Sequence, residues 1–148
     1  MSLKIEIGGQ GGHLMVEVLG YENPFAQDTS DANWLNCQVL IRIGEHFRAD
    51  FPASFATSDF VRFREELTTV LTKVDGTASF LTDEDALSFS IEMSRTGGAV
   101  VGGVAQNYGQ PQASLSFSFE TDQTFLTQTL HHLVTVVTHF PVKEDSFS

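Results

Sequence analysis

Three patterns predict an α+β fold in the order ββββαββββα: eight short runs of alternating apolar and polar residues, two longer runs with apolar spacings of three and four, and turn residues between neighbouring runs. The expected architecture is antiparallel sheet, curved or in two parts, of about eight strands with two helices. Strands that alternate in this way need one face covered. Each helix carries one apolar stripe with which to cover it. Residues 1–148 read as a single domain.

Leu3, Ile5 and Ile7 alternate with Lys4 and Glu6; after a glycine-rich turn at residues 8–12, Leu14, Val16 and Val18 do the same, as in a β-hairpin. From Trp34 to Ile43, period two runs through Leu35, Cys37, Val39, Ile41 and Ile43. Gly44-Glu45 then suits a two-residue turn into a strand of alternating Phe47, Ala49 and Phe51. Helical spacing takes over at Ser58: Phe60, Phe63, Leu67, Val70, Leu71 and Val74 share a face, with Arg62, Arg64, Glu65 and Glu66 turned outward. Asp75-Gly76 ends this helix, the glycine expected in the left-handed conformation. Strand patterns return at Ala78 and Phe80, at Leu87, Phe89, Ile91 and Met93, at residues 99–104, and at Leu115, Phe117 and Phe119, with turns at 82–85, 97–98 and 109–112. A second helix starts near Asp122, places Leu126, Leu130, Leu133, Val134 and Val137 on one face, and stops before Phe140-Pro141. The halves echo each other in element order without repeating sequence. One irregular segment is long, residues 20–33, and loops of that length in compact domains are often functional.

With 148 residues, 41% hydrophobic and 18% charged, the chain can bury a core without disulfides or metal. Its formal net charge is -11, and the excess is lopsided: residues 1–74 carry 10 acidic against 6 basic groups, whereas residues 75–148 carry 9 against 2, Arg95 and Lys143. A phosphate backbone calls for clustered Lys and Arg, so nucleic acid is disfavoured as a partner, and an anionic membrane surface by the same repulsion. No run approaches the roughly 18 apolar residues of a membrane span. Lys4, Glu6 and Glu17 interrupt any signal-peptide core, which predicts a cytoplasmic protein. The complementary partner is a basic protein surface. Exposed sheet edges permit a dimer, and oligomeric state stays open.

Catalytic constellations are missing from the pattern. The glycine-rich turn at residues 8–12 lacks the lysine and hydroxyl residue of a phosphate loop and lies between strands. The histidines, His13, His46, His131, His132 and His139, form no i, i+4 pair; His131 and His139 share a helix face but would need a distant carboxylate to hold a metal. Ser114, Ser116 and Ser118 alternate as solvent-facing strand positions and belong to no GxSxG elbow. Asp83-Glu84-Asp85 occupies a turn, where desolvation is too slight to tune a carboxyl. Cys37, the single cysteine, alternates with Leu35 and Val39 and reads as buried and inert. The expectation is a binding protein, not an enzyme, with no catalytic residues, no metal and no cofactor.

Gly20-Tyr21-Glu22 ahead of Asn33-Trp34-Leu35, the alternating strand that follows, Asp122-Gln123-Thr124-Phe125-Leu126 opening the last helix and Phe140-Pro141 closing it resemble the WapI-like immunity proteins. The likeness spans nearly the whole chain, and relatives include many small bacterial proteins of unknown function. The resemblance implies a cytosolic inhibitor that protects a bacterium from the toxic tip of a wall-associated or contact-delivered toxin, commonly a nuclease. That implication agrees with the acidity. Trp34 is then a core aromatic or an exposed anchor at the end of the long loop, and Asp122 stabilises a helix N-terminus. On charge grounds the partner-binding residues are Glu22, Asp28 and Asp31 of the long loop and Asp83, Glu84 and Asp85 of the second half. The alternative is a small-molecule or peptide-binding domain. A sizeable apolar cavity with converging polar groups would favour it, and a solid core under an acidic surface would favour the inhibitor.

Overall fold

A computed structural model of the protein describes residues 3–82, 86–107 and 112–144. Strands β1 (Leu3–Gly9), β2 (Gly12–Tyr21), β3 (Trp34–Ile43) and β4 (Phe47–Ala56) form one antiparallel sheet in that order. Strands β5 (Gly76–Phe80), β6 (Leu87–Met93), β7 (Gly98–Asn107) and β8 (Ala113–Asp122) form a second. Helix α2 (Thr57–Lys73) follows the first sheet and α3 (Gln123–His139) the second, while a short α1 (Thr29–Ala32) sits in the β2–β3 connection. The α+β class and the order ββββαββββα are thus those the sequence predicts, with the sheet in two parts.

Each long helix packs on the first strand of the sheet it does not follow: α2 on β5, α3 on β1, with the two helices touching. A polar side chain fastens each contact. The Ser79 N–H of β5 donates to Glu66 Oε1 at 3.0 Å, and the Thr129 hydroxyl of α3 donates to the Glu6 carbonyl of β1 at 2.7 Å. An edge strand with unpaired backbone groups is a template for unwanted pairing, and here a helix closes one edge of each sheet.

One continuous hydrophobic cluster joins the inner faces of both sheets to both helices, drawing on Ile7, Leu14 and Ile41, on Phe80, Ile91 and Val101, and on Phe63, Leu67, Leu126 and Leu133. Phe80 is its aromatic hub. Its ring centroid lies 5.2 to 5.8 Å from those of Phe55, Phe60, Phe63 and Phe89, edge-on to Phe55 and Phe63, tilted to Phe60 and stacked on Phe89. The glycines of the first hairpin have a packing reason. A Cβ on Gly9 would collide with the Glu120 carbonyl and one on Gly12 with the Phe119 ring, so only glycine lets this hairpin lie against β8. The Gln10 N–H then donates to the Glu120 carbonyl at 2.8 Å.

Several local expectations need correction. Ile43 pairs with Phe47, so the turn between them holds three residues, Gly44, Glu45 and His46. Phe47, the first apolar residue of β4, is 66% exposed, because β4 enters the core gradually: Ala49, Phe51 and Ala53 are half-buried and only Phe55 is fully covered. Helix α2 ends on Val74, whose φ of 51° is left-handed, ahead of Gly76 with φ 109°. On α3, Val134 is exposed while Thr129 and Val136 are buried, since the stripe centres on Leu126, Thr129, Leu133 and Val136 and Val134 lies past its rim. Residues 20–33 are less irregular than expected: β2 continues to Tyr21 and α1 occupies the far end.

Candidate functional site

Three of the motifs that carry the family resemblance, residues 20–22, 33–35 and 140–141, meet at one corner, while residues 122–126 open α3 at its other end. A bulge between Val18 and Gly20 re-aims the end of β2, after which Tyr21 pairs with Leu35 and the Glu22 N–H donates to the Trp34 carbonyl at 2.9 Å. The chain then turns at residues 23–26, closed by the Ala26 N–H on the Asn23 carbonyl at 3.1 Å. The Asp28 carbonyl next accepts from Asp31 and Ala32, which winds α1. Across this loop lies the chain that follows α3. The Tyr21 hydroxyl donates to the Pro141 carbonyl at 2.7 Å and its ring meets Phe140 edge-on at 5.5 Å. Asn33 binds Lys143 through both amide atoms, Nδ2 to the carbonyl at 2.9 Å and Oδ1 from the N–H at 2.6 Å. The Lys143 ammonium sits 3.9 Å from the Tyr21 ring centroid and donates to the Pro24 carbonyl at 3.2 Å. Tyr21, Asn33, Phe140 and Pro141 are thereby committed to holding the corner together.

Three of the acids expected to bind a partner, Glu22, Asp28 and Asp31, lie exposed on this corner. Glu22 Oε1 accepts from the Ser54 hydroxyl at 2.7 Å, and the Asn23 amide reaches the Asp31 carbonyl at 3.4 Å. Asp83, Glu84 and Asp85 lie outside the described residues. Trp34 is half-buried on the face of β3 opposite the buried Leu35. Asp122 caps α3, its carboxylate accepting from the Phe125 N–H at 2.8 Å.

A second acidic feature lies on the outer face of the second sheet, in the half of the chain whose acid excess is larger. The register pairs Thr77 with Glu92, Glu92 with Val100, and Val100 with Glu120. Two glutamates thus flank the exposed Val100 on neighbouring strands, and with Asp75 they line an open groove of about 630 Å³. Arg95, one of the two bases of this half, is 3.8 Å from Asp75. The signal was present in the alternation: the parity that turns Ser88 and Ser90 outward also turns Glu92 outward, and likewise Ser116, Ser118 and Glu120. Only the pairing register brings these acids side by side.

A third feature is a groove of about 700 Å³ between the first sheet and the ends of β6 and β7, in which Leu19, Phe51 and Pro52 alternate with the carboxamides of Asn36, Gln38 and Gln106. Cys37 borders it, but burial, and secondarily the Glu22 charge, push its thiol pKa up to about 12, so it is no nucleophile. Burial also lowers the His13 pKa, against the opposing pull of Glu6. Among the described residues no three or more His, Cys, Asp and Glu side chains are grouped to hold a metal ion. His131 and His139 are both exposed on α3. No helix of the described residues is long and apolar enough to cross a membrane.

Solved structures share the fold. WHY1 from Arabidopsis thaliana is similar with a TM-score of 0.54 and 14% identity, over 99% of this chain and 89% of that one. A chain of the Trypanosoma brucei MRP1/MRP2 structures is similar with a TM-score of 0.50 and 7% identity, over 93% of this chain and 84% of that one. At such identities the likeness is one of fold alone. No curated protein matches the chain. The sequence profile of the Immunity protein WapI-like family matches residues 4–141, from β1 to Pro141 just after α3. The chain belongs to the WapI-like immunity protein family.

Proposed function

We propose that the chain is a non-enzymatic, cytoplasmic immunity protein that neutralises a basic, nuclease-like toxin domain by occupying its cationic surface. The observation that carries this reading is the family match over residues 4–141. The net charge of -11 supports the choice of a basic partner, because a surface built to bind phosphates presents the complementary Lys and Arg. Glu22, Asp28, Asp31, Asp83, Glu84 and Asp85 are the proposed contact residues, joined by Glu92 and Glu120 of the second sheet. Their summed field speeds encounter, and the docked chain then excludes substrate from the cationic surface.

The test takes as candidate toxin the C-terminal domain of a large secreted protein, should one be encoded beside this chain. Produced alone in a bacterial cytoplasm it should arrest growth; produced with this chain it should not, and the two purified proteins should form a stable 1:1 complex. Growth arrest undiminished by the chain would refute the reading. The amide-lined groove of about 700 Å³ favours the second reading, a small-molecule or peptide-binding domain. Under that reading, protection would fail while a peptide or metabolite raised the melting temperature.

A further inference from the structure

Phe25 is 95% open to solvent, the most exposed large hydrophobic side chain among the described residues. An isolated exposed apolar residue needs no explanation, but this one stands on a loop that is held in place. The Ala26 N–H closes the turn on the Asn23 carbonyl, and Lys143 grips the carbonyl of Pro24, the residue before Phe25. Lys143 is itself fixed by Asn33 and by the Tyr21 ring. Holding a loop in one conformation opposes chain entropy, and Phe25 returns none of that through burial in its own fold. Its surroundings are of one sign. Glu22, Asp28 and Asp31 lie within six residues of it, and between Lys4 and Arg42 the chain has no Lys or Arg. The Lys143 ammonium, brought to the corner from beyond α3, is spent on the Tyr21 ring and the Pro24 carbonyl.

We infer that Phe25 is the apolar anchor of the partner contact: it inserts into an apolar pocket that the partner surrounds with Lys or Arg, which meet the carboxylates around Phe25. An aromatic anchor inside a polar rim is the usual anatomy of a protein interface. A loop already set in its docked conformation loses little entropy on binding. The inference rests on the proposed function and adds a division of labour: acids govern the association rate, Phe25 the dissociation rate.

The experiment measures binding of the purified toxin domain described above to the wild-type chain, Phe25→Ala and the Glu92→Gln/Glu120→Gln double variant by surface plasmon resonance, with thermal melts of each. Phe25→Ala removes no buried contact, so its melting temperature should match the wild type. Its Kd should rise at least about 30-fold, mostly through faster dissociation, as for an interface hot spot. The double variant should slow association and leave dissociation unchanged. A Phe25→Ala Kd within about threefold of wild type overturns the anchor while leaving the proposed function standing. Absence of binding by the wild-type chain overturns both. Retention of wild-type chain, but not Phe25→Ala, on phosphatidylcholine vesicles overturns the anchor in favour of a membrane contact.

Discussion

The Tyr21 hydroxyl donates to the Pro141 carbonyl at 2.7 Å, tying the end of β2 to the chain beyond α3 across 120 residues of sequence. Burial raises the Tyr21 pKa, so the hydroxyl remains a donor throughout the physiological range. Deleting it in Tyr21→Phe removes one bond from the strap and leaves the ring against Phe140 and Lys143. Stability should fall by about 1 kcal/mol, the usual net worth of such a bond. Amide exchange over residues 22–32 should quicken more than in the core strands. Urea denaturation and exchange mass spectrometry read the two effects; unchanged exchange in the loop would refute the strap.

Leu67 and Leu133 are both completely buried, on the stripes with which α2 and α3 cover the sheets. Truncating either to Ala should destabilise the chain by about 2–5 kcal/mol, transfer and cavity terms combined. If residues 1–148 are one domain, each variant should still unfold in a single cooperative transition. Losses below about 0.5 kcal/mol at both positions, or two separate transitions, would contradict this arrangement.

The Cys37 thiol, pushed up to about 12 by burial, should be unreactive in the folded chain. At pH 8 iodoacetamide should label it only as fast as the protein opens, and immediately in denaturant. Labelling of the folded chain at the rate of a free cysteine would show that the inner face of β3 is accessible.

His13 binds a proton less readily in the folded chain than its ordinary value of 6.5 implies, because burial penalises the cation, Glu6 opposes that without overcoming it, and Arg42 and Lys4 add repulsion. As pH falls below 6.5 the unfolded chain protonates first, so this contribution to stability is complete above that pH and is lost on acidification toward the lower folded pKa. The unfolding free energy should therefore rise with pH in that window. His13→Gln should flatten the slope; an unchanged slope would assign it to other groups.

Periodicity made the strands and long helices legible, since alternation and the three-four spacing record directly which side of each element meets the core. It failed where tertiary geometry decides. Val134 has the right residue type but lies past the rim of the α3 stripe, whereas Thr129 holds a central place because its hydroxyl reaches the Glu6 carbonyl. The four residues of α1 are too few to show a period. In the candidate site, composition and loop length singled out Glu22, Asp28 and Asp31. The Glu92, Val100 and Glu120 grouping depends on the register of three strands. Phe25 belongs to no periodic run, and the loop that presents it is held by Lys143 on the Pro24 carbonyl, a contact no local pattern encodes.

The most direct test of an acidic inhibitor acting on a basic domain is the association rate of the chain with the toxin domain, followed by stopped flow as ionic strength rises from low to physiological. Electrostatic steering predicts a steep fall over that range, and replacing residues 83–85 by neutral amides should slow association several-fold and flatten the dependence. An association rate indifferent to salt, with wild-type and amide chains alike, would contradict it.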